Sequence, residues 1–341
     1  MKKEEETAER PDNTAFTQQR LPAWQPILSA GIVIPGFVLI GLAFIGIGIA
    51  LFLTTQTIQV LEADYTGVEK DSPCYRCTNM VQNCTCEVTF SLSTLFTGPV
   101  FFYYGLSNFY QNFRKYGVSK DYYQLTGDTS YFKSPQDSCA PYAYDGNKKP
   151  IVPCGAIANS MFNDTFELYQ IVNGTKKVVP LDGKGISWWT DYNIKYRNPL
   201  PVNHSLASAF DGTVKPINWP VAAYELDLVD LNNNGFLNQD FLVWMRRAAL
   251  PQFRKLYRRI TDGDYAAGLP AGNYSLTIHY NFPVVSFDGR KKVVFSNVSW
   301  MGGKNEFLGI AYLVVGSLCV VMSVVMLIVY AKFKFSDEDG M

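Results

Sequence analysis

The sequence predicts a membrane protein with two transmembrane α-helices and a large, β-rich, disulfide-braced ectodomain between them. Three observations carry that prediction. Residues 27–53 and 307–330 contain no charged side chain, and each stretch exceeds the roughly 20 apolar residues that cross about 30 Å of hydrocarbon. Six of the seven cysteines lie between these stretches, as do all six N-x-Ser/Thr sequons. The chain is 15% aromatic, mostly within the same interval, which suits a β-rich core. About 250 residues separate the two spans, enough for one or two such domains.

Residues 1–26 form a polar tail with a charged start, KKEEE, punctuated by Pro11, Pro22 and Pro26. Its composition predicts a segment that is extended or disordered when unpartnered. The span at 27–53 begins too far from the N-terminus and runs too long for a cleaved signal peptide, whose apolar run is about 7–15 residues. It reads as a signal anchor. Gly31, Gly36, Gly41 and Gly46 recur every five residues, which advances about 140° around a helix at each step. The glycines therefore wind round the span, as suits close packing on several sides. A dedicated homodimer face is the alternative. Pro35 predicts a kink or local adjustment.

Orientation follows from charge and chemistry together. Arg10 and Arg20 precede the first span and the next basic residue is Lys70, which favours a cytosolic N-terminus. Around the second span, Lys332 and Lys334 follow while Arg290, Lys291, Lys292 and Lys304 precede; residues of a long loop weigh little in that rule. The cysteines and sequons decide the matter. They place 54–306 on the extracellular or lumenal face, with 1–26 and 331–341 cytosolic. The glycosylation candidates are Asn83, Asn163, Asn173, Asn203, Asn273 and Asn297, with Asn83 disfavoured by the adjacent Cys84.

Residues 74–86, CYRCTNMVQNCTC, pack four cysteines into a short hairpin-like segment. Four cysteines allow three pairings; an antiparallel hairpin favours the nested one, Cys74 with Cys86 and Cys77 with Cys84. Cys139 and Cys154 then close a second short loop. A zinc knuckle is the rival reading of the four clustered thiols. Cys319 sits inside the second span as an apolar filler.

Residues 238–260 read as the clearest soluble helix, from apolar positions Phe241, Met245, Ala248, Phe253, Leu256 and Ile260. Asn238 caps it, Asp240 sits in its first turn, and Pro251 divides it into two pieces. Arg246, Arg247, Arg254, Lys255, Arg258 and Arg259 make it strongly basic. These six are the candidate partner contacts, toward an acidic loop or an anionic headgroup; a merely solvated face is the alternative. Residues 273–282 alternate as a strand. Residues 284–287 and 290–300 flank Asp288-Gly289 and read as a hairpin leading into the second span.

Enzyme chemistry is missing from the sequence. With 30 basic and 30 acidic residues, the chain has no electrostatic footprint for nucleic acid. It lacks G-x-x-x-x-G-K-[ST], H-E-x-x-H and G-x-S-x-G. Its two histidines, His204 and His279, accompany no nucleophile, and His279 reads as an ordinary strand residue. Residues 230–241, DLNNNGFLNQDF, begin like a calcium loop but place Phe241 where the bidentate Glu belongs. They read as an asparagine-rich turn ahead of a helix. Neither span carries an ionisable residue, so a transport pathway belongs to another subunit. No catalytic, cofactor or metal residue is assigned.

Longer motifs identify a relationship. They include PDNTAFTQQRLPAWQP at 11–26, YYGLSNFYQNFRKY at 103–116 and PCGAIANSMFNDTF at 153–166. GISWWTDYNIKYRNP at 185–199, VWMRRAALPQFRKLYRRI at 243–260 and SWMGGKNEFLGIAYLVVGSLC at 299–319 complete the set. With these the chain resembles the cell-cycle-control-protein-50, or transmembrane-protein-30, family over about residues 11–330, and its B branch most. Members are accessory (β) subunits of type IV P-type ATPases, the phospholipid flippases. The resemblance implies an antiparallel, sandwich-like ectodomain with helical insertions, the same three disulfides, and glycosylation, at Asn163 above all. It also implies a heterodimer with the catalytic ATPase and no catalysis on this chain. The expected role is to support folding, ER exit and the ATPase cycle, and through them aminophospholipid translocation and membrane lipid asymmetry. Residence in endoplasmic reticulum, Golgi, endosomes and plasma membrane is expected with it. A subunit of a two-span trimeric ligand-gated channel is the rival from another class, and a tethered lumenal glycan enzyme a third.

Overall fold

The structure, a computed structural model, describes residues 12–22, 28–79 and 84–338, with side chains as far as Phe333. Two compact units emerge: residues 54–304, and the two long helices with the chain ends.

The first long helix runs Ala30–Gln56 and the second Glu306–Glu338, and both are long and apolar enough to cross a membrane. The first starts later and ends later than the apolar stretch 27–53 and continues through Pro35; residue 27 lies outside the described residues. The two helices meet across glycines. A methyl group added at Gly316 would lie 2.9 Å from the Gly41 carbonyl oxygen, and one at Gly309 3.0 Å from the Phe52 nitrogen. Gly48 similarly abuts Leu313. Gly31, Gly36 and Gly46 have open space around them. The contact stripe is therefore Gly41 and Gly48 against Gly309 and Gly316, a spacing of seven on each helix. Bare Cα atoms let the backbones approach where lipid supplies no hydrophobic drive between helices.

The other unit is built on two four-stranded antiparallel sheets. The first has order β1 (Val60–Asp64), β10 (Arg290–Ser296), β4 (Val100–Ser107), β7 (Phe253–Ile260). The second has order β2 (Cys84–Leu92), β9 (Gly272–Tyr280), β5 (Thr165–Val172), β6 (Thr175–Val179). A small pair, β3 (Phe96–Thr97) and β8 (Gly268–Leu269), stands apart. Alternation sends one face of each sheet inward. Phe102 on β4 stacks on Phe295 of β10 at 4.5 Å and meets Phe166 of β5 edge-on at 5.2 Å, so aromatic rings fill the space between the sheets. Short helices and 3-10 turns fill the long excursion between β4 and β7.

One ion pair is sealed in this core. Lys291 Nζ on β10 lies 2.7 Å from Asp164 Oδ2, with both side chains inaccessible to solvent. The carboxylate is fully occupied, and a second ammonium proton is used. Nζ also donates to Phe282 O at 2.7 Å, Tyr65 OH donates to Asp164 Oδ2, and the Asn281 and Phe282 N–H groups donate to Asp164 Oδ1. Burial outweighs the attraction of Asp164 and lowers the Lys291 ammonium to about 8. The pair ties the first sheet to the chain entering β5 and leaving β9.

The cysteines are paired Cys74–Cys86, Cys77–Cys84 and Cys139–Cys154. The first two fasten a 3-10 turn, Tyr75–Asn79, to the start of β2, so a strand hairpin is not what nests them. With their thiols oxidised to one another, the zinc-knuckle reading fails.

Two further sequence expectations are overturned. The helix expected over 238–260 is helical only at Gln239–Met245, and the predicted second piece is strand β7. Pairing with β4 overrides the helical period. A bulge at Tyr257, where Tyr103 faces Leu256 but Phe102 faces Arg258, mixes the alternation. The hairpin expected around Asp288-Gly289 does not form. Val285–Phe287 is a 3-10 turn, Asp288 adopts a left-handed φ of 55°, and the chain crosses from β9 in one sheet to β10 in the other.

Candidate partner-docking surface

The site begins at the short helix Gln239–Met245. Asn238 caps it by accepting the Phe241 N–H at 3.0 Å, and Asn233 Oδ1 accepts the Gln239 N–H at 2.9 Å. Asn234 Oδ1 accepts the Gly235 N–H, and Asp230 Oδ1 accepts the Asn232 N–H. The calcium-like segment thus uses its side chains to shape turns ahead of a helix.

The helix ends on a lysine. Lys255 Nζ, reaching over from β7, donates to the carbonyl oxygens of Val243, Trp244 and Arg246 at 2.9, 3.3 and 2.5 Å. Those are the acceptors a helix C-terminus leaves open, and the positive charge suits the dipole there. Arg258 grips Asp240 through both guanidinium nitrogens, at 2.5 and 3.0 Å. Lys255 and Arg258 therefore hold the fold together, contrary to their expected role as partner contacts. Arg259 is half-buried, with Nε unbonded among the described residues, and its backbone bridges Asp182. Arg254 is exposed on the first sheet, 5.0 Å from the Tyr103 ring.

Arg246 and Arg247 remain, and they open onto a hollow of about 480 Å³ also lined by Lys120, Lys195, Tyr122 and Asp191. Four cations face one carboxylate. Asp191 is buried and holds Arg246 at 3.2 Å and Lys195 at 3.3 Å. The Lys120 ammonium lies 4.4 Å from the Tyr122 ring, and its hydrogen bond holds the Tyr122 hydroxyl below its usual range. Gly117 leaves the room in which the Arg247 guanidinium lies.

Aromatic side chains rim this hollow. The Arg246 guanidinium stacks on Trp188 at 4.0 Å, and Trp188 and Trp189 stay 61% and 67% exposed. The segment carrying them is pinned. The Ile186 and Ser187 N–H groups donate to Gln239 Oε1, and Tyr192 OH donates to Asn232 O at 2.8 Å. Rigid, exposed tryptophan beside arginine is the composition of energetic centres in protein interfaces. Sequence reasoning found Arg246 and Arg247 but passed over Lys120, Asp191, Lys195 and the tryptophans. The available signal was the Trp-Trp pair inside 185–199.

A family model described as LEM3 (ligand-effect modulator 3) family / CDC50 family matches residues 51–336. The chain belongs to the CDC50/LEM3 family. It is 56% identical to human cell cycle control protein 50B over 97% of both chains. It is also 56% identical to mouse cell cycle control protein 50A over 97% of this chain and 92% of that one. Equal identity to both does not single out the B branch. An Arabidopsis thaliana relative named "Putative ALA-interacting subunit 4" is 37% identical over 93% of this chain and 89% of its own.

The sequons of this CDC50 chain fall into distinct settings. Asn173 and Asn203 sit at exposed turns with left-handed φ of 51° and 49°. Asn273 is exposed on β9, and Asn163 is half-buried ahead of β5. Asn297 is buried, with Oδ1 accepting from the Gln59 N–H and Nδ2 donating to Thr97 O. Its amide is thus enclosed, unlike those on the open turns at Asn173 and Asn203. Asn83 lies outside the described residues. His279 is a surface strand residue, its Nδ1 3.2 Å from Thr85 Oγ1.

Proposed function

We propose that this chain is the non-catalytic accessory (β) subunit of a phospholipid-flippase complex. It pairs as a heterodimer with a catalytic type IV P-type ATPase and supports that partner's folding, ER exit and ATPase cycle. Aminophospholipid translocation and lipid asymmetry depend on it in that way. The observation carrying this reading is the family match, which begins inside the first long helix and ends inside the second. Residues 54–306 face the lumen or exterior and both termini the cytosol, in endoplasmic reticulum, Golgi, endosomes and plasma membrane. ATP and lipid are handled by the partner.

The cationic hollow bounded by Arg246 and Arg247, with Trp188 stacked on Arg246 and the exposed Trp189 next to it in sequence, receives an acidic exoplasmic loop of the ATPase. The charge ratio in the hollow and the exposed, immobilised aromatics support that assignment. Co-expression with a panel of type IV P-type ATPases tests both levels. One ATPase should co-purify, leave the ER and hydrolyse ATP only with this chain. Arg246→Ala should weaken that capture by about 2 kcal/mol or more, roughly thirtyfold. Binding to none, with surface delivery of this chain alone as a stable trimer, would favour a channel subunit instead.

A further inference from the structure

Three segments without a charged side chain, residues 54–61, 88–113 and 293–303, meet at the end of the first sheet where Val60, Ser296 and Phe101 lie side by side. Two amide side chains tie them together. Gln59 Nε2 donates to Leu95 O at 3.0 Å, and Gln59 Oε1 accepts the Thr97 N–H at 2.7 Å. Asn297 Oδ1 accepts the Gln59 N–H at 2.9 Å, and Asn297 Nδ2 donates to Thr97 O at 3.2 Å. Just past this node the chain makes a tight turn. Ser299 and Gly302 exchange both backbone hydrogen bonds across it, at 2.9 and 3.0 Å, and Ser299 Oγ accepts the Met301 N–H at 3.2 Å. Trp300 stands at the tip of the turn and is 81% exposed, while Leu95, held at the node by its carbonyl, is 50% exposed. Hydrogen bonds thus fix the backbone under two large apolar side chains that face open space in uncharged surroundings.

Covalent connection limits what can cover them. Gln59 follows Gln56, the last residue of the first long helix, by three residues, a span of at most about 11 Å. Trp300 precedes Glu306, the first residue of the second, by six residues, or at most about 22 Å. Both tethers end within reach of a bilayer's headgroup layer, and that layer is where membrane proteins concentrate tryptophan. Serine, threonine, leucine and tryptophan without charge suit a zwitterionic lipid interface, whereas the hollow around Arg246 has the charge to select a protein loop. We propose that Trp300 and Leu95 dip into the phospholipid surface from which the two long helices emerge. They seat residues 54–304 on the bilayer, and the node at Gln59 and Asn297 passes that footing to the first sheet. The inference rests on both long helices crossing the membrane and on no particular ATPase.

The test places the full-length chain, one copy per disc, in phosphatidylcholine nanodiscs and follows tryptophan emission. Phosphatidylcholine brominated on its acyl chains should quench wild type more than Trp300→Phe. Leu95→Trp, made in the Trp300→Phe chain, should restore the lost quenching. Iodide in the surrounding water should quench wild type and Trp300→Phe equally. Trp300→Phe changes an exposed side chain and should keep the wild-type melting midpoint; should it fail to fold, Leu95→Trp in the wild-type chain carries the same test by gaining lipid quenching. Equal lipid quenching of wild type and Trp300→Phe overturns the inference, and stronger iodide quenching of wild type would then show water at Trp300. Protection from both quenchers that appears only with a bound ATPase, or only with two copies in a disc, would give the surface to a protein and overturn it as well. Capture of an ATPase is read separately by pull-down, so a Trp300 out of reach of lipid beside a captured ATPase leaves the proposed function standing.

Discussion

A lysine ammonium pressed against three carbonyl oxygens, with no carboxylate paired to it among the described residues, holds its proton weakly. Burial, aided by the charge of Arg246, brings Lys255 from the ordinary 10.5 to about 7. Between those values the unfolded chain binds a proton that the folded chain lacks. The stability contributed by this position therefore rises with pH across that window and is lost as pH falls through about 7. The melting midpoint of wild type minus that of Lys255→Met, measured from about pH 6 to about pH 9, should increase with pH. A flat difference would sink the idea. The same lysine explains a misreading. Inward positions of β7 alternate as Phe253, Lys255 and Tyr257, and a charged residue in the middle hides the two-residue period from sequence. Arg246 and Arg247 were legible because exposed charge needs no partner to be noticed. Asp191 was not, because a lone aspartate in sequence gives no sign of being buried between two cations.

At the scale of elements, the glycine stripe makes the strictest demand. Gly316→Val would drive a side chain into the Gly41 carbonyl and Ile45, an overpacking that costs about 1–3 kcal/mol. The purified chain should melt earlier, whereas Gly36→Val, with open space around it, should not shift the midpoint. Equal behaviour of the two would refute the stripe as the helix contact. Gly48 completes that stripe, and a five-residue count along one helix passed over it because the partner helix sets the spacing. The Cys139–Cys154 bridge closes a loop of sequence separation 15, for which removal costs roughly 2–4 kcal/mol. Cys139→Ser should reduce surface delivery of the ATPase more than Asn173→Gln, and equal delivery would count against it. The strand β9 was readable because its alternation is plain. The crossing at 281–289 was not, because Asp-Gly serves any turn needing a left-handed residue, whether or not the flanking strands pair.

For the whole molecule, the division at residues 54 and 304 makes a specific expectation. Residues 54–304, secreted without the long helices, should fold as a monomer with three disulfides. They should leave ATPase ER exit unsupported, since the helices are then missing from the complex. Scrambled disulfides on non-reducing peptide mapping would show that the ectodomain needs its membrane unit to fold. Spans, oxidised domain and sheet-rich core were legible because each rests on composition. The sheet order was not, since it depends on which strands meet across more than 200 residues of chain.

The pairing of β1 with β10 has a consequence for biosynthesis. The first strand made after one span must wait for the last strand made before the other. At about 5–20 residues per second, translation leaves β1 unpaired for roughly ten to fifty seconds. The Lys291 that neutralises Asp164 emerges equally late. Closure of the sandwich therefore coincides with arrival of the second span at the translocation channel. With residues 54–306 lumenal, as proposed above, a nascent chain arrested before residue 290 should stay open to lumenal folding helpers, and quality control could then read completion of the whole polypeptide from the state of one sheet.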